Sequence, residues 1–146
     1  IGDDYEEKLP DGTVKDGNIT YDSNTGRPLT DEYSLLDEDG DATRTGTQTF
    51  DSRGRIETDK YSLLDEEGNA TRTGTATYDN DGRMDKEEYS TFDKEGNTLR
   101  TATTYYNDDE IKTSEEYAEP QADGTMKSGD IFYNKEGIPE SEEYIL

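Results

Sequence analysis

Glycine falls on Gly12, Gly26, Gly40, Gly54, Gly68, Gly82 and Gly96, one every 14 residues. Glu110 takes the next place, Gly124 resumes the count, and Gly137 arrives one residue early. A fixed short period of this kind marks an array of stacked supersecondary units. Each step has room for one strand of about ten residues and one tight turn. The turns read Asp37-Glu38-Asp39-Gly40, Asp51-Ser52-Arg53-Gly54 and Asp79-Asn80-Asp81-Gly82, with close copies at Asp65 and Asp93. Asp at the first position bonds the turn backbone, and Gly at the fourth accepts positive φ, as in a type I turn with a bulge.

A longer period of 28 lies over the first. It sets Tyr5, Tyr33, Tyr61, Tyr89 and Tyr117 in one column, with Tyr144 one residue early. Two strand types therefore alternate. One carries the tyrosine, as in Arg55 to Leu64, and the other is rich in threonine, as in Asn69 to Tyr78. Apolar and polar residues alternate at period two and no segment holds a helical stripe. The expected fold is all-β: one repeat domain forming an antiparallel meander of about eleven strands. It comprises five 28-residue units at approximately 5–32, 33–60, 61–88, 89–116 and 117–146. Neither strand face is apolar enough for a sandwich or a filled barrel. A largely single-layer or thinly coiled sheet follows, wet on both sides. Its stability would rest on cross-strand pairs: Tyr over Gly or Ala, Thr beside Thr, Lys against Glu.

Composition pulls the other way. Leu, Ile, Val and Phe make up 19 of 146 residues and the formal net charge is −23, a balance typical of disordered chains. The periodicity decides for order, because a disordered tail has no reason to hold a glycine every 14 residues. The charge excludes nucleic acid and anionic membrane surfaces as partners, since both need clustered Lys and Arg. No stretch approaches 18 apolar residues, so membrane insertion is not expected. No signal peptide is present either, which suggests a mature product or an excised fragment. His and Cys are absent, which removes imidazole bases, thiolate nucleophiles and disulfides. Among 38 acidic residues a glycosidase-like pair arises by chance, and nothing suggests a pocket to tune it. The chain reads as non-enzymatic.

Thr77-Tyr-Asp-Asn-Asp-Gly-Arg83, Thr49-Phe-Asp-Ser-Arg-Gly-Arg55, and Thr20-Tyr-Asp22 followed by Gly26-Arg27 share a short core, with a looser copy at Phe132-Tyr-Asn-Lys-Glu-Gly137. This core resembles the Tyr-Asp-x-x-Gly-Arg signature of YD-type repeats and covers roughly half of each unit. The resemblance implies coiled β-hairpin sheets in secreted or surface bacterial proteins, without catalytic residues. The 28-residue period is longer than that family's unit, and Asn107-Asp-Asp-Glu110 lacks the Gly-Arg.

Several residue sets invite chemistry. The column Tyr33, Tyr61, Tyr89 and Tyr117 repeats about every 9.6 Å at ordinary strand spacing. It could stack sugars or grip a partner; packing over Gly46, Gly74 and Ala102 is the simpler reading. The rows Thr43-Thr45-Thr47 and Thr71-Thr73-Thr75 offer hydroxyls for O-glycosylation. Charged strands between those rows argue against ice binding. Asn18 and Asn69 open N-glycosylation sequons. Asp37, Asp39, Asp41, Asp79 and Asp81 crowd oxygens into tight turns, so weak calcium binding is conceivable, although the spacing matches no EF-hand loop and turn chemistry explains it. No cofactor is expected. These features favour a secreted or cell-surface structural protein, a filament or stalk subunit assembling through its terminal strands. The alternative is an adhesion module that binds carbohydrate or protein through the tyrosine face.

Overall fold

The computed structural model describes residues 1–146. Eleven strands and no helix make up the chain: β1 (Gly2–Lys8), β2 (Val14–Tyr21), β3 (Pro28–Leu36), β4 (Ala42–Phe50), β5 (Ile56–Leu64), β6 (Ala70–Tyr78), β7 (Met84–Phe92), β8 (Thr98–Tyr106), β9 (Lys112–Pro120), β10 (Met126–Tyr133) and β11 (Pro139–Ile145). They form one open antiparallel sheet in sequence order, the meander that the 14-residue step implies. Strands hold seven to nine residues, slightly fewer than the step suggests, because turn and bulge take five.

The turns form as their chemistry dictates. All nine phased glycines have φ between 72° and 90°. The Gly40 amide donates to the Asp37 carbonyl at 3.0 Å, and the Asp37 amide donates to the Asp41 carbonyl at 2.9 Å. Asp37 Oδ1 accepts from the amides of Asp39 and Asp41, both at 2.9 Å, and Asp51, Asp65, Asp79 and Asp93 do the same. Where glycine is missing, Glu110 adopts φ 60° and is the one non-glycine residue in the left-handed region.

Register then sorts the side chains by face, since alternate residues point to opposite sides. Tyr33 sits opposite Gly17 and Gly46, Tyr61 opposite Gly46 and Gly74, and Tyr117 opposite Ala102 and Gly129. One face therefore carries every tyrosine of the column. The other carries Ser34, Thr45, Thr47, Lys60, Ser62, Thr73 and Thr75. The two faces are not equally wet, which corrects the expectation from composition. All nine buried residues (Tyr33, Tyr61, Ala76, Ala102, Tyr117, Asp31, Asp59, Thr104 and Glu115) lie on the tyrosine face.

Candidate functional site

Burial on one side of a single sheet requires side chains that lie down. A Cβ at Gly46 would stand 2.7 Å from Cζ and the hydroxyl of Tyr33, and one at Gly74 would stand 2.7 Å from the Tyr61 hydroxyl. The ring thus crosses the neighbouring strand through the space a side chain would fill. Its hydroxyl reaches the strand beyond. Tyr33 donates to Asp59 at 2.9 Å, Tyr5 to Asp31 at 2.7 Å, Tyr89 to Glu115 and Tyr117 to Glu142. Tyr89 crosses Ala102 rather than a glycine, and it is less buried than its three neighbours.

A cation closes each rung from the intervening strand. Arg44 Nε donates to the Tyr33 hydroxyl at 2.9 Å while its Nη2 meets Asp59 at 3.2 Å. Its guanidinium also lies 4.2 Å from the centre of the Tyr61 ring, within cation–π range. Arg72 bonds the Tyr61 hydroxyl, pairs with Glu87 and stacks 3.7 Å over Tyr89. Arg100 pairs with Glu115 and stacks 4.2 Å over Tyr117. Lys15 and Lys127 serve the outermost rungs, with Asp31 at 3.5 Å and Glu142 at 3.3 Å. Arg44 and Arg72 each tie the hydroxyl of one tyrosine to the ring of the next. Lys15, Arg100 and Lys127 each join a carboxylate to a tyrosine ring, so the rungs join into a ladder across the sheet. The first rung is incomplete: Tyr5 and Lys15 both address Asp31 Oδ2, and the buried Oδ1 has no partner.

Titration reflects this packing. Burial first, and then Asp59 beside it, pushes the Tyr33 phenol up to about 12, although Arg44 opposes the rise. Burial and Glu115 push Tyr133 up to about 12 as well. At Glu115 burial acts to raise the carboxyl, but hydrogen bonds from Tyr89, Tyr133 and Arg100 outweigh it and hold the group below the usual carboxylate range. Asp51 and Asp79 are lowered chiefly by the turn amides they accept.

The tyrosine column is therefore the core of the sheet rather than an open stacking surface. Periodicity located Tyr33, Tyr61, Tyr89 and Tyr117 but missed their partners. The signal was present: Arg44, Arg72 and Arg100 also repeat at 28, as do Asp31, Asp59, Glu87 and Glu115.

The turn acids are dispersed. Asp37 and Asp79 give Oδ1 to turn amides, and Asp79 and Asp81 also pair with Arg83. No three acidic groups converge as a metal site. Asn18 donates to Asp4 at 2.7 Å, whereas Asn69 sits exposed at a turn. Thr43 and Thr71 bond the carbonyls of Leu35 and Leu63.

Thr45, Thr47, Thr73 and Thr75 share a different feature. On the face opposite the ladder a shallow trough crosses the strands from β2 to β9. One wall reads Ser34, Thr45, Ser62, Thr73, Ser90 and Thr101 across successive strands. The other reads Glu32, Thr47, Lys60, Thr75, Glu88, Thr103 and Glu116. The mid-strand backbone of the tyrosine and glycine positions forms the floor.

No family model matches the sequence, and no curated protein is similar to it. Among solved structures, the chain is similar to a protein of unknown function from Bacteroides fragilis. The two are 13% identical, the match covers 99% of this chain and 92% of that one, and the TM-score is 0.24. So loose a superposition carries no functional argument.

Proposed function

We propose that this chain is a non-enzymatic structural protein of the cell surface or exterior, an extended one-sheet spacer whose copies join through their outer strands. The observation that supports this reading is the Tyr–cation–carboxylate ladder, which lets a sheet stand without a second layer. Strand count governs how copies would join. Eleven alternating strands leave β1 and β11 pointing the same way. A copy shifted along the sheet would pair β11 with β1 in parallel. A copy rotated about an axis normal to the sheet would pair β11 with β11 antiparallel and keep both faces continuous. Like edges therefore meet like.

Such joints carry a charge cost. β1 holds Asp3, Asp4, Glu6 and Glu7 against Lys8, and β11 holds Glu140, Glu142 and Glu143. Acidic edges resist strand addition, so salt should promote it. Tyr144, Ile145 and Leu146 are all exposed beside the β11 edge and would bury apolar area in the joint. Sedimentation at moderate salt tests the reading. The chain should self-associate, and a variant lacking residues 144–146 should not. Identical monomers at high concentration would remove the assembly.

A further inference from the structure

The trough has no part in the ladder or in the edges, and its chemistry suits one kind of occupant. We propose that it binds a linear polysaccharide bearing protonated amines, laid across the strands. One wall is a line of Ser and Thr hydroxyls, each able both to donate and to accept, closed at its β2 end by Asp16 opposite Ser34. That suits ring hydroxyls. The opposite wall brings Glu32, Glu88 and Glu116 against a single cation, Lys60. Glu88 already pairs with the half-buried Lys86 at 3.0 Å, whereas Glu32 and Glu116 have no ion-pair partner and face water. Within a molecule of net charge −23, that wall attracts amines and repels uronate or sulfate groups.

Geometry argues for a sugar polymer over a basic peptide. Peptides dock on sheets by adding a strand at an edge or by filling apolar pockets. The trough runs across the strands, whose backbone groups are committed to their neighbours, and it offers few apolar side chains. A glycan needs neither. Each two-strand unit advances about 9.6 Å, so a regular polymer meets the same surroundings again and again. Seven strand steps give the trough a span of about 34 Å. Individually weak contacts then add along the polymer.

Calorimetric titration at about pH 6 tests this with three probes: a β-linked glucosamine hexamer, its fully N-acetylated counterpart and hexalysine. Glucosamine hexamer should bind best, with the acetylated hexamer about tenfold weaker. The double variant Glu32→Gln/Glu116→Gln should weaken glucosamine binding about tenfold. Glu66→Gln/Glu67→Gln, which removes the same charge from an exposed turn, should leave it nearly unchanged. All four positions are exposed, so thermal melting should confirm that both variants fold. Equal losses in the two variants, or hexalysine binding as tightly as the sugar, would reduce the effect to diffuse charge attraction and overturn the site. Neither outcome bears on assembly through the strand edges.

Discussion

At the scale of single residues, this chain places small and large side chains by the demands of its neighbours. Gly74 is extended strand, and its value lies in the missing Cβ, since Tyr61 fills that space. Gly68 differs: nothing lies within 4 Å of its would-be Cβ, and its φ of 84° is what excludes other residues. Glu110 shows the cost of breaking that rule. It holds φ 60°, a conformation costing an L-residue about 1–2 kcal/mol. Its carboxylate recovers part of this by accepting the Met84 amide at 2.8 Å. Glu110→Gly should therefore stabilise the protein by about 0.5–1 kcal/mol, seen as a higher urea midpoint. A lower midpoint would mean that the Met84 contact outweighs the strain.

At the scale of the strand pair, most of the fold was legible and most of the core was not. Gly40, Gly54 and Gly68 marked the turns, the Asp residues before them marked the type, and counting turns gave eleven strands. Tyr33 over Gly46 followed from the same alternation. The ladder did not, because Tyr33 and Asp59 stand 26 residues apart with a whole strand between them, and only the register brings them together. The column also changes identity along the chain. Asp31 and Asp59 give way to Glu87 and Glu115, and Arg44 to Lys127, which hides the repeat from a search for identical residues. Counting apolar side chains then suggested two wet faces. The actual core is made of phenol rings, guanidinium groups and carboxylates. That core should fail in alkali. A phenol raised to about 12 on folding contributes its full stabilisation below the ordinary value near 10 and loses it as pH climbs through the folded value. Urea midpoints should hold between about pH 7 and 9 and fall beyond about pH 10, in step with the ultraviolet signal of tyrosinate. A flat midpoint to about pH 12 would show that the phenols ionise without loss of the ladder. In acid the sign reverses: Glu115, held low by its partners, gives up its contribution as pH falls through its folded value.

At the scale of the whole molecule, two electrostatic effects of opposite sign coexist. Ten ion pairs hold the sheet locally, while a net charge of −23 repels itself over longer distances. Salt screens exposed, distant charges more than half-buried pairs. The melting temperature should therefore rise between about 0.01 and 0.15 M salt. A fall would rank the local pairs above the global repulsion. The tyrosine hydroxyl, where acid and cation meet, gives the most direct test of what holds the sheet. Tyr61→Phe removes that oxygen alone and leaves Arg72 Nε short of a partner. Tyr105→Phe removes the same atom on the opposite face, where its hydroxyl makes no bond within the protein. If the ladder holds the sheet, denaturant unfolding should show a loss of about 1–2 kcal/mol for Tyr61→Phe and less than about 0.5 kcal/mol for Tyr105→Phe. Equal losses, or none in either variant, would contradict it.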